Sequence, residues 1–343
     1  MAKGIRRRRR KRPKAGERSP GFDYFDPSGK RITAKATIDR CNKLAIPPAW
    51  KKVWIAANSR ADLQATGRDA KGRLQYRYHK SWTEARAAEK FEGMTAFARI
   101  LPSIRRKVDA DLGLEGMPKA KVVALVIKLI DLYHFRIGND EYARRNKSYG
   151  LTTLVEGHMT IDRSSRAEGE LDAVFEFVGK SGKLWKMRIW EDELARLISA
   201  SGQVGGRHKK QDLFRFEDES GLDYDIKAAH INEYLDATTL RDHKVTAKDF
   251  RTWAATWKAA SRLSEQLDPD TNAARKRVAS QVVKTVASDL GNTPTVCRSS
   301  YIHPAILSDW GAGTFRRNWT GAAGGRRVRG LSREETATLL YLE

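Results

Sequence analysis

The spacing of apolar residues along the chain changes near residue 82. From Gly21 to about Trp82, short runs of β-prone residues are separated by Gly, Pro and Asp, which is typical of strands joined by turns. After Trp82 the runs are longer and repeat with a helical period. The fold class that we predict is therefore α+β, with a small N-terminal β-sheet-rich domain before a larger, mainly α-helical domain.

One predicted strand of the first domain carries three large residues on a single face. Leu74, Tyr76 and Tyr78 alternate with polar or cationic residues, Gln75 among them. Side chains two positions apart lie on the same face of a strand. This face either packs into a core or is presented to a ligand, and the pattern leaves both readings open.

A buried helix and a hairpin are predicted early in the larger domain. The segment KVVALVIKLIDLYHFRIG is almost continuously apolar from Val122 to Leu132, which predicts a buried helix with Gly138 as its stop signal. Arg136 then lies at the edge of the core. Farther along, DAVFEFVGKSGKLWKMRIW predicts two strands around the turn GKSG, with Lys180 at the tip.

The next predicted helix lies in VTAKDFRTWAATWKAASRL. Thr246 and Asp249 form the capping pattern that starts a helix. The apolar residues that follow have helical spacing, and Arg251 and Thr252 lie away from the centre of that stripe. The spacing therefore directs both side chains away from the middle of the apolar face.

Two further helices follow in sequence. In TNAARKRVASQVVKTVASDLG, apolar residues recur at every fourth position and Gly291 is a stop signal, so Asn292 comes just past the helix end. Thr293 and Pro294 predict the N-cap and first residue of a short helix. Tyr301 falls in its last turn.

The domain limits that we predict follow from these patterns. They are a disordered basic arm over 1–19, an N-terminal β-rich domain over 20–90, an α-helical domain over 91–315 and a basic C-terminal extension over 316–343.

The charge of the chain favours a polyanionic partner. Lys and Arg outnumber Asp and Glu by 65 to 42, a net charge of +23, and nine of these cations lie in the first fourteen residues. The remaining +14 shows that the excess is not confined to the arm. Such an imbalance favours phosphate contacts and counterion release, so nucleic acid is the leading candidate. For the arm itself, three roles remain open: a nuclear localisation signal, a nonspecific DNA tether or a disordered solubilising tail.

The sequence also bears on location and cofactors. The arm lacks the apolar core of a secretory signal, and no segment approaches the roughly 20 apolar residues of a membrane span, so we expect a soluble cytoplasmic protein. Cys41 and Cys297 are isolated, which indicates reduced thiols rather than a disulfide or a zinc site. No metal-binding or nucleotide-binding motif is present, so we expect no cofactor.

Several residue types in this chain suit the cleavage of a DNA phosphodiester without a metal. Such chemistry needs cations on the phosphoryl oxygens, a nucleophile and an acid for the leaving oxygen. Arginine suits the first task because its fork donates two hydrogen bonds and stays charged. Lysine suits the last because its pKa can be lowered, and tyrosine can attack if strong donors favour its phenolate form.

Six motifs, in order, resemble the poxvirus-type and bacterial type IB DNA topoisomerases. They are IPPAW, LQATGRDAKGRLQYRYH, FRIGNDEY with SYGLTTL, FVGKSGK, TAKDFRTW and CRSSYIHP, and together they extend from about residue 20 to residue 310. The resemblance implies a small β domain and a helical catalytic domain that close on duplex DNA as a clamp. It also implies that the catalytic domain shares the fold of the tyrosine recombinases.

The resemblance implies a role for each of five residues. Arg136 and Arg251 fall on the two catalytic arginines, and Tyr301 falls on the nucleophile. Lys180 falls on the hairpin lysine that protonates the 5′ oxygen. Asn292 is a departure, because the viral enzymes have histidine nine residues before the tyrosine; an amide still donates a hydrogen bond to a phosphate oxygen but carries no proton charge.

Further residues are DNA-binding candidates. Gln75, Tyr76 and Tyr78 resemble the family's groove-reading residues, and Tyr142 belongs to the motif of Arg136. Arg68, Lys71 and Lys80 are expected phosphate contacts. The partner that we predict is double-stranded DNA, with the enzyme acting as a monomer near the nucleoid.

Two other functions remain open at the level of sequence. A tyrosine recombinase shares the Arg, Lys and Tyr chemistry but works as a synapsed tetramer. A noncatalytic basic nucleic-acid-binding protein would explain the charge without any role for Tyr301. The β-rich first domain favours the topoisomerase, since IPPAW and LQYRYH lie there.

Overall fold

The computed structural model describes residues 4–13, 21–163, 170–206, 208–239 and 244–343. The chain divides into two compact units, Met1–Lys90 and Phe91–Glu343. The smaller unit is built on a sheet and the larger is mainly helical, so the α+β prediction is confirmed. Within the described residues, no helix combines the length and apolar character that crossing a membrane requires.

The smaller unit is a five-stranded antiparallel sheet with one helix. Its elements are β1 Gly4–Arg9, β2 Phe22–Phe25, α1 Lys35–Lys43, β3 Lys51–Ala56, β4 Leu63–Arg68 and β5 Leu74–Tyr78, and the strand order is β2-β1-β3-β4-β5. One face of the sheet holds the core, which contains Ile5, Tyr24, Ile55 and Ala65, and Cys41 of α1 joins it. Because side chains alternate between faces, the residues between them point the other way.

Strand β1 corrects the prediction of a disordered arm over 1–19 for residues 4–9, whereas residues 1–3 and 14–19 lie outside the described part of the chain. Residues 4–9 pair with both β2 and β3. Arg7 lies on the core side, where its guanidinium donates to the carbonyl oxygens of Ile46 and Pro47, each at 2.9 Å. Its Cζ lies 4.0 Å from the ring centre of Phe22. A run of arginines shows no contrast between polar and apolar positions, so the period of two is hidden. The long side chain of Arg7 nevertheless covers apolar surface, because its guanidinium donates hydrogen bonds to carbonyl oxygens.

The larger unit is a set of helices with two small sheets. Its helices are α2 Lys80–Leu112, which contains the boundary, α3 Lys119–Tyr133, α4 Asp140–Asn146, α5 Asp192–Gln203, α6 Ala228–Thr238, α7 Ala247–Ser264, α8 Asn272–Asp289, α9 Pro294–Ser300, α10 Pro304–Ala312, α11 Phe315–Ala323 and α12 Arg333–Leu342. Strands β6 Met159–Asp162, β7 Asp172–Val178 and β8 Leu184–Ile189 form one antiparallel sheet, and β9 Arg215–Glu217 pairs with β10 Asp223–Asp225. The predicted hairpin at 172–189 is confirmed.

Helix α7 is buried on more sides than its apolar stripe predicts. The capping box of Thr246 and Asp249 is present. Arg251 and Thr252 point away from the centre of that stripe, yet each is only 3% exposed. The reason is tertiary, because α3, α8 and α12 all pack against α7 and cover its circumference.

The C-terminal segment is part of the larger unit rather than an extension at 316–343. Glu335 of α12 is 3% exposed and pairs with Arg105 of α2 at 2.8 Å. Arg105 also pairs with Asp131 of α3 at 2.8 Å, and Trp253 of α7 donates its Nε1 hydrogen to Glu335 at 3.1 Å. One carboxylate thus connects three helices. The basic residues that precede α12 in the sequence concealed the apolar face of this helix.

Candidate active site

The segment that carries Arg136 is held by backbone contacts after α3. The amide of Leu151 donates to the carbonyl of Arg136 at 2.9 Å, and the amide of Thr152 donates to that of Ile137 at 2.7 Å. Gly138 has φ +107°, a region that favours glycine. A Cβ on Gly150 would lie 2.6 Å from the carbonyl oxygen of Arg136, so glycine is required for the two segments to approach.

The guanidinium of Arg136 joins this segment to the end of α8. Its Nη2 donates to the carbonyl oxygen of Gly291 at 2.9 Å and to Oδ1 of Asn292 at 2.7 Å. Burial lowers the pKa of Arg136, and the nearby Tyr301 partly offsets this. The side chain is therefore a partly desolvated cation in a fixed orientation.

The guanidinium of Arg251 is bound at two helix ends. Its Nη2 donates to the carbonyl oxygen of Leu290 at 2.7 Å, and its Nη1 donates to that of His134. Both carbonyls belong to the C-cap residues of helices, which carry partial negative charge. Burial lowers the pKa of Arg251, the charge of Arg136 lowers it further, and a hydrogen bond with Tyr301 opposes the shift.

Tyr301 is the C-cap residue of α9 and is anchored through its backbone. Its amide donates to the carbonyl of Cys297 at 3.0 Å, and its carbonyl accepts from Oγ1 of Thr256 at 3.1 Å. The ring packs partly buried against the core of α7 to α11, and its centre lies 5.7 Å from Cζ of Arg251. Two helices thus fix the phenol beside a buried cation.

Asn292 directly follows Gly291, which takes a left-handed conformation at φ +59° past the end of α8. The Oδ1 atom accepts from Arg136 at 2.7 Å. The Nδ2 group is buried and has no hydrogen-bond partner among the residues that the structure describes. A buried donor without a partner is costly, and such groups often mark a functional site.

Lys180 lies at the tip of the β7–β8 hairpin. Residues Lys180–Gly182 form a single 3-10 turn, with Gly182 at φ +75°. The amide of Gly179 donates to the carbonyl of Lys183 at 2.8 Å and closes the loop. The Lys180 side chain is exposed.

One cleft of about 640 Å³ brings most of these residues together. Arg136, Lys180, Arg251 and Tyr301 all line it, and so does Tyr142. Asn292 reaches the same group through its hydrogen bond to Arg136. Arg136, Arg251, Lys180 and Tyr301 thus bring two guanidiniums, an ammonium and a phenol to one cleft, a set that can bind and attack a phosphodiester.

Other lining residues were missed by the sequence reasoning. They are Ile137, Asn139, Ser148, Tyr149, Ala247 and Lys248. Lys248 could have been found, because it precedes Arg251 by three positions in a predicted helix and therefore shares its side of α7. Nothing in the local pattern marks Ser148 or Tyr149 apart from their place in SYGLTTL.

The DNA-binding candidates of the smaller unit lie on different sides of the sheet. Tyr76 and Tyr78 are 48% and 42% exposed, so the reading that they are core residues is wrong. The rings of Tyr76 and Tyr78 stack with their centres 6.0 Å apart, and those of Tyr78 and Trp82 stack with their centres 4.2 Å apart. Trp82 was not among the DNA-binding candidates predicted from the sequence. Gln75 lies on the opposite face and donates to Asp69 at 3.1 Å.

The cationic candidates of this unit are exposed. Arg68, Lys71 and Lys80 have solvent-accessible side chains. Arg68 donates to the carbonyl of Gly72 at 2.7 Å in the turn between β4 and β5. By strand pairing Arg68 shares the face of Tyr76, because Thr66 pairs with Tyr76 and side chains two positions apart lie on one face.

Across the described residues, no three His, Cys, Asp or Glu side chains lie close enough together to hold a metal ion.

Comparisons with known proteins give one consistent family. A family model of the catalytic core of eukaryotic DNA topoisomerase I matches residues 79–312, and a model of the N-terminal domain of bacterial DNA topoisomerase IB matches residues 21–69. The DNA topoisomerase 1B of Acanthamoeba polyphaga mimivirus is 30% identical over 294 residues, which cover 85% of this chain and 84% of that protein.

More distant relatives are also named as DNA topoisomerases. The DNA topoisomerase 1B of Vaccinia virus (strain Copenhagen) and the DNA topoisomerase I of Monkeypox virus are each 20% identical over 265 residues, or 75% of both chains in each pair. These matches favour neither the recombinase nor the noncatalytic alternative. The chain belongs to the type IB DNA topoisomerases, a family of isomerases.

Proposed function

We propose that this enzyme relaxes supercoiled duplex DNA by cutting one strand through a 3′-phosphotyrosyl intermediate, letting the cut strand swivel, and resealing it. The reaction uses neither ATP nor a metal ion. One observation carries the proposal: Arg136, Lys180, Arg251 and Tyr301 line a single cleft, and Asn292 is bonded to Arg136.

The two arginines are suited to neutralise the scissile phosphate. Arg251 is buried and Arg136 is partly buried, and carbonyl oxygens and Asn292 fix their orientation before any substrate arrives. Fixed cations in a partly dry site interact more strongly with developing charge than mobile cations in water do. Asn292 offers Nδ2 hydrogens that have no partner within the described part of the chain, which suits them to donate to a nonbridging oxygen.

In the cleavage step a bond forms between Tyr301 Oη and phosphorus while the bond from phosphorus to O5′ breaks. The phenol proton is released to solvent, and the ammonium of Lys180 donates a proton to O5′ as it leaves. Religation reverses each transfer. Because the phosphotyrosyl ester retains the energy of the broken phosphodiester, resealing needs no nucleotide.

The substrate partner is double-stranded DNA. The net charge of +23 supports this, and so does the exposed face of the smaller unit with Arg68, Tyr76 and Tyr78. Lys71, Lys80 and, in the cleft, Tyr142 are the further contacts that we propose. The chain acts as a monomer that clamps the duplex, on DNA of the nucleoid.

The direct test is relaxation of a supercoiled plasmid in EDTA without ATP. We expect purified protein to relax it and Tyr301→Phe to bind DNA without relaxing it or forming an adduct. Tyr224→Phe removes a phenol from the exposed strand β10 and should remain active. A duplex labelled on either side of a nick then shows which end is attached, and attachment at the 5′ side or activity in Tyr301→Phe would refute the proposal.

A further inference from the structure

Trp185 of β8 lies between two glycines that adjoin the proposed catalytic residues. A Cβ on Gly179 would be 2.6 Å from Cδ1 of Trp185, and a Cβ on Gly291 would be 2.0 Å from its Cζ2. Neither position therefore has room for a side chain. The edge of the indole that carries Cδ1 lies against the backbone of Gly179, the residue before Lys180. The edge that carries Cζ2 lies against the backbone of Gly291, the residue before Asn292.

The indole is also held on its faces. It stacks on Phe177 of β7 with ring centres 6.2 Å apart and planes 8° apart, and Cζ of Arg136 lies 5.8 Å from its centre. The space left between Phe135, Phe177 and Trp185 amounts to about 10 Å³. This is at most the space of one water molecule, so the three rings pack with little gap between them.

We propose that Trp185 is a positioning residue that holds the Lys180 tip of the hairpin at a fixed distance from the Arg136–Asn292 pair. The proposal rests on the proposed function, in which Lys180 protonates the leaving O5′. Trp185 does not touch the reacting atoms. It acts through Gly179, whose backbone it contacts directly.

An exposed lysine needs such support. Its four-carbon stem is flexible, and a general acid works only within hydrogen-bond reach of the oxygen that it protonates. The turn itself is closed, since the amide of Gly179 donates to the carbonyl of Lys183 at 2.8 Å and that of Gly182 to Gly179 at 3.1 Å. The tip therefore moves with Gly179, and the indole links Gly179 to the end of α8.

The experiment compares two leaving groups in single-turnover cleavage of a suicide duplex. In ordinary DNA the bond from phosphorus to O5′ breaks and O5′ takes a proton from Lys180. When sulfur replaces the bridging O5′, the bond from phosphorus to sulfur breaks and a thiolate leaves without a proton, because a thiol has a pKa of only about 8.5. A defect confined to the acid is therefore absent with the sulfur substrate.

We expect Trp185→Ala to slow cleavage of ordinary DNA by about 10- to 100-fold, the loss that a misplacement of about 1 Å causes. With the sulfur substrate its rate should return to within about 3-fold of the parent rate under the same conditions. Lys180→Ala should show the same pattern with a larger loss. Arg136→Ala should be slow with both substrates.

Gly179→Ala is a second, milder variant. Position 179 has φ −92° and ψ −167°, which alanine adopts without strain, so its effect comes from contact with the indole. It should reproduce the pattern of Trp185→Ala and serves if that variant does not fold. Lys186→Ala removes an exposed cation from the same strand, next to Trp185, and should leave both rates unchanged.

The outcomes separate this inference from the proposed function. If both the Trp185→Ala and Gly179→Ala proteins lose the same factor with sulfur as with oxygen, or lose nothing with either, the positioning role is refuted. If Lys180→Ala is not restored by sulfur, the assignment of the acid fails instead. A parent protein that cleaves neither duplex refutes the proposed function itself.

Discussion

His134 is buried at the end of α3, and its protonation on acidification is expected to destabilise the larger unit. The residue is 6% exposed, and its Nδ1 has no hydrogen-bond partner among the described residues. Burial, followed by the charges of Lys258 and Arg251, lowers the pKa of His134 to about 3. The native protein therefore holds this imidazole neutral well below neutral pH.

The sign and size of the effect follow from the two pKa values. In the unfolded chain a histidine has a pKa of about 6.5, so as pH falls below that value the unfolded state takes up a proton that the native state refuses. The contribution of His134 is fully present above about pH 6.5 and is lost progressively as pH falls toward 3. At pH 5 the loss is about 2 kcal/mol, a large part of the ordinary 5–15 kcal/mol of stability.

The assay is urea unfolding at pH 7 and at pH 5, followed by circular dichroism at 222 nm, a signal that the helices of the larger unit dominate. The variant is His134→Asn, because asparagine does not titrate and accepts the left-handed conformation of this position, where φ is 58°. We expect the loss of unfolding free energy between the two pH values to be about 2 kcal/mol smaller in the variant.

His208→Asn is the matched control, since the side chain of His208 is exposed. It should lose as much stability on acidification as the parent. If His134→Asn also loses as much as the parent, His134 is not the group that couples folding to pH, and the reasoning from its burial fails.

Three further predictions concern packing and chemistry. Glu335→Gln should lower the free energy of unfolding by about 2 kcal/mol in urea titrations, because the partly buried Arg105 loses one of its two carboxylate partners; an unchanged midpoint would contradict this. Gly138→Ala should cost about 2 kcal/mol in the same assay, since φ is +107° and the new Cβ would lie 2.9 Å from Oγ1 of Thr152; a neutral result would mean that the segment adjusts freely. Asn292→Ala should slow single-turnover cleavage by about 100-fold while Asn292→His retains more activity; equal rates in Asn292→Ala and the parent would remove the amide from the mechanism.

Local patterns were sufficient for most elements that carry the candidate site. The capping pair at Thr246 and Asp249, the Gly291 stop and the Thr293–Pro294 start each depend on neighbours within a few positions, and each is present in the structure. The hairpin around Lys180 is equally local, because alternation and a glycine turn define it. Such signals are readable because they depend on backbone geometry within a single turn.

Burial could not be read in the same way. Arg251 belongs to the polar side of its helix by spacing, yet it is 3% exposed because helices from distant parts of the chain surround α7. Strand β1 has no contrast between polar and apolar positions, and it is recognisable only through its pairing with β2 and β3. The sequence alone does not connect α12 to the larger unit, because its partner Arg105 lies 230 residues away.

By itself the sequence determined the order of the motifs, the residue types that suit phosphodiester chemistry and the excess of positive charge. It also determined the elements that hold each candidate side chain. The tertiary structure alone decided which of these groups share a cleft, which cations are desolvated, and that Trp185 lies between the glycines beside Lys180 and Asn292. The physical reason is that residue type and local backbone preference act over a few positions, whereas desolvation and convergence on one point depend on segments that only folding brings together.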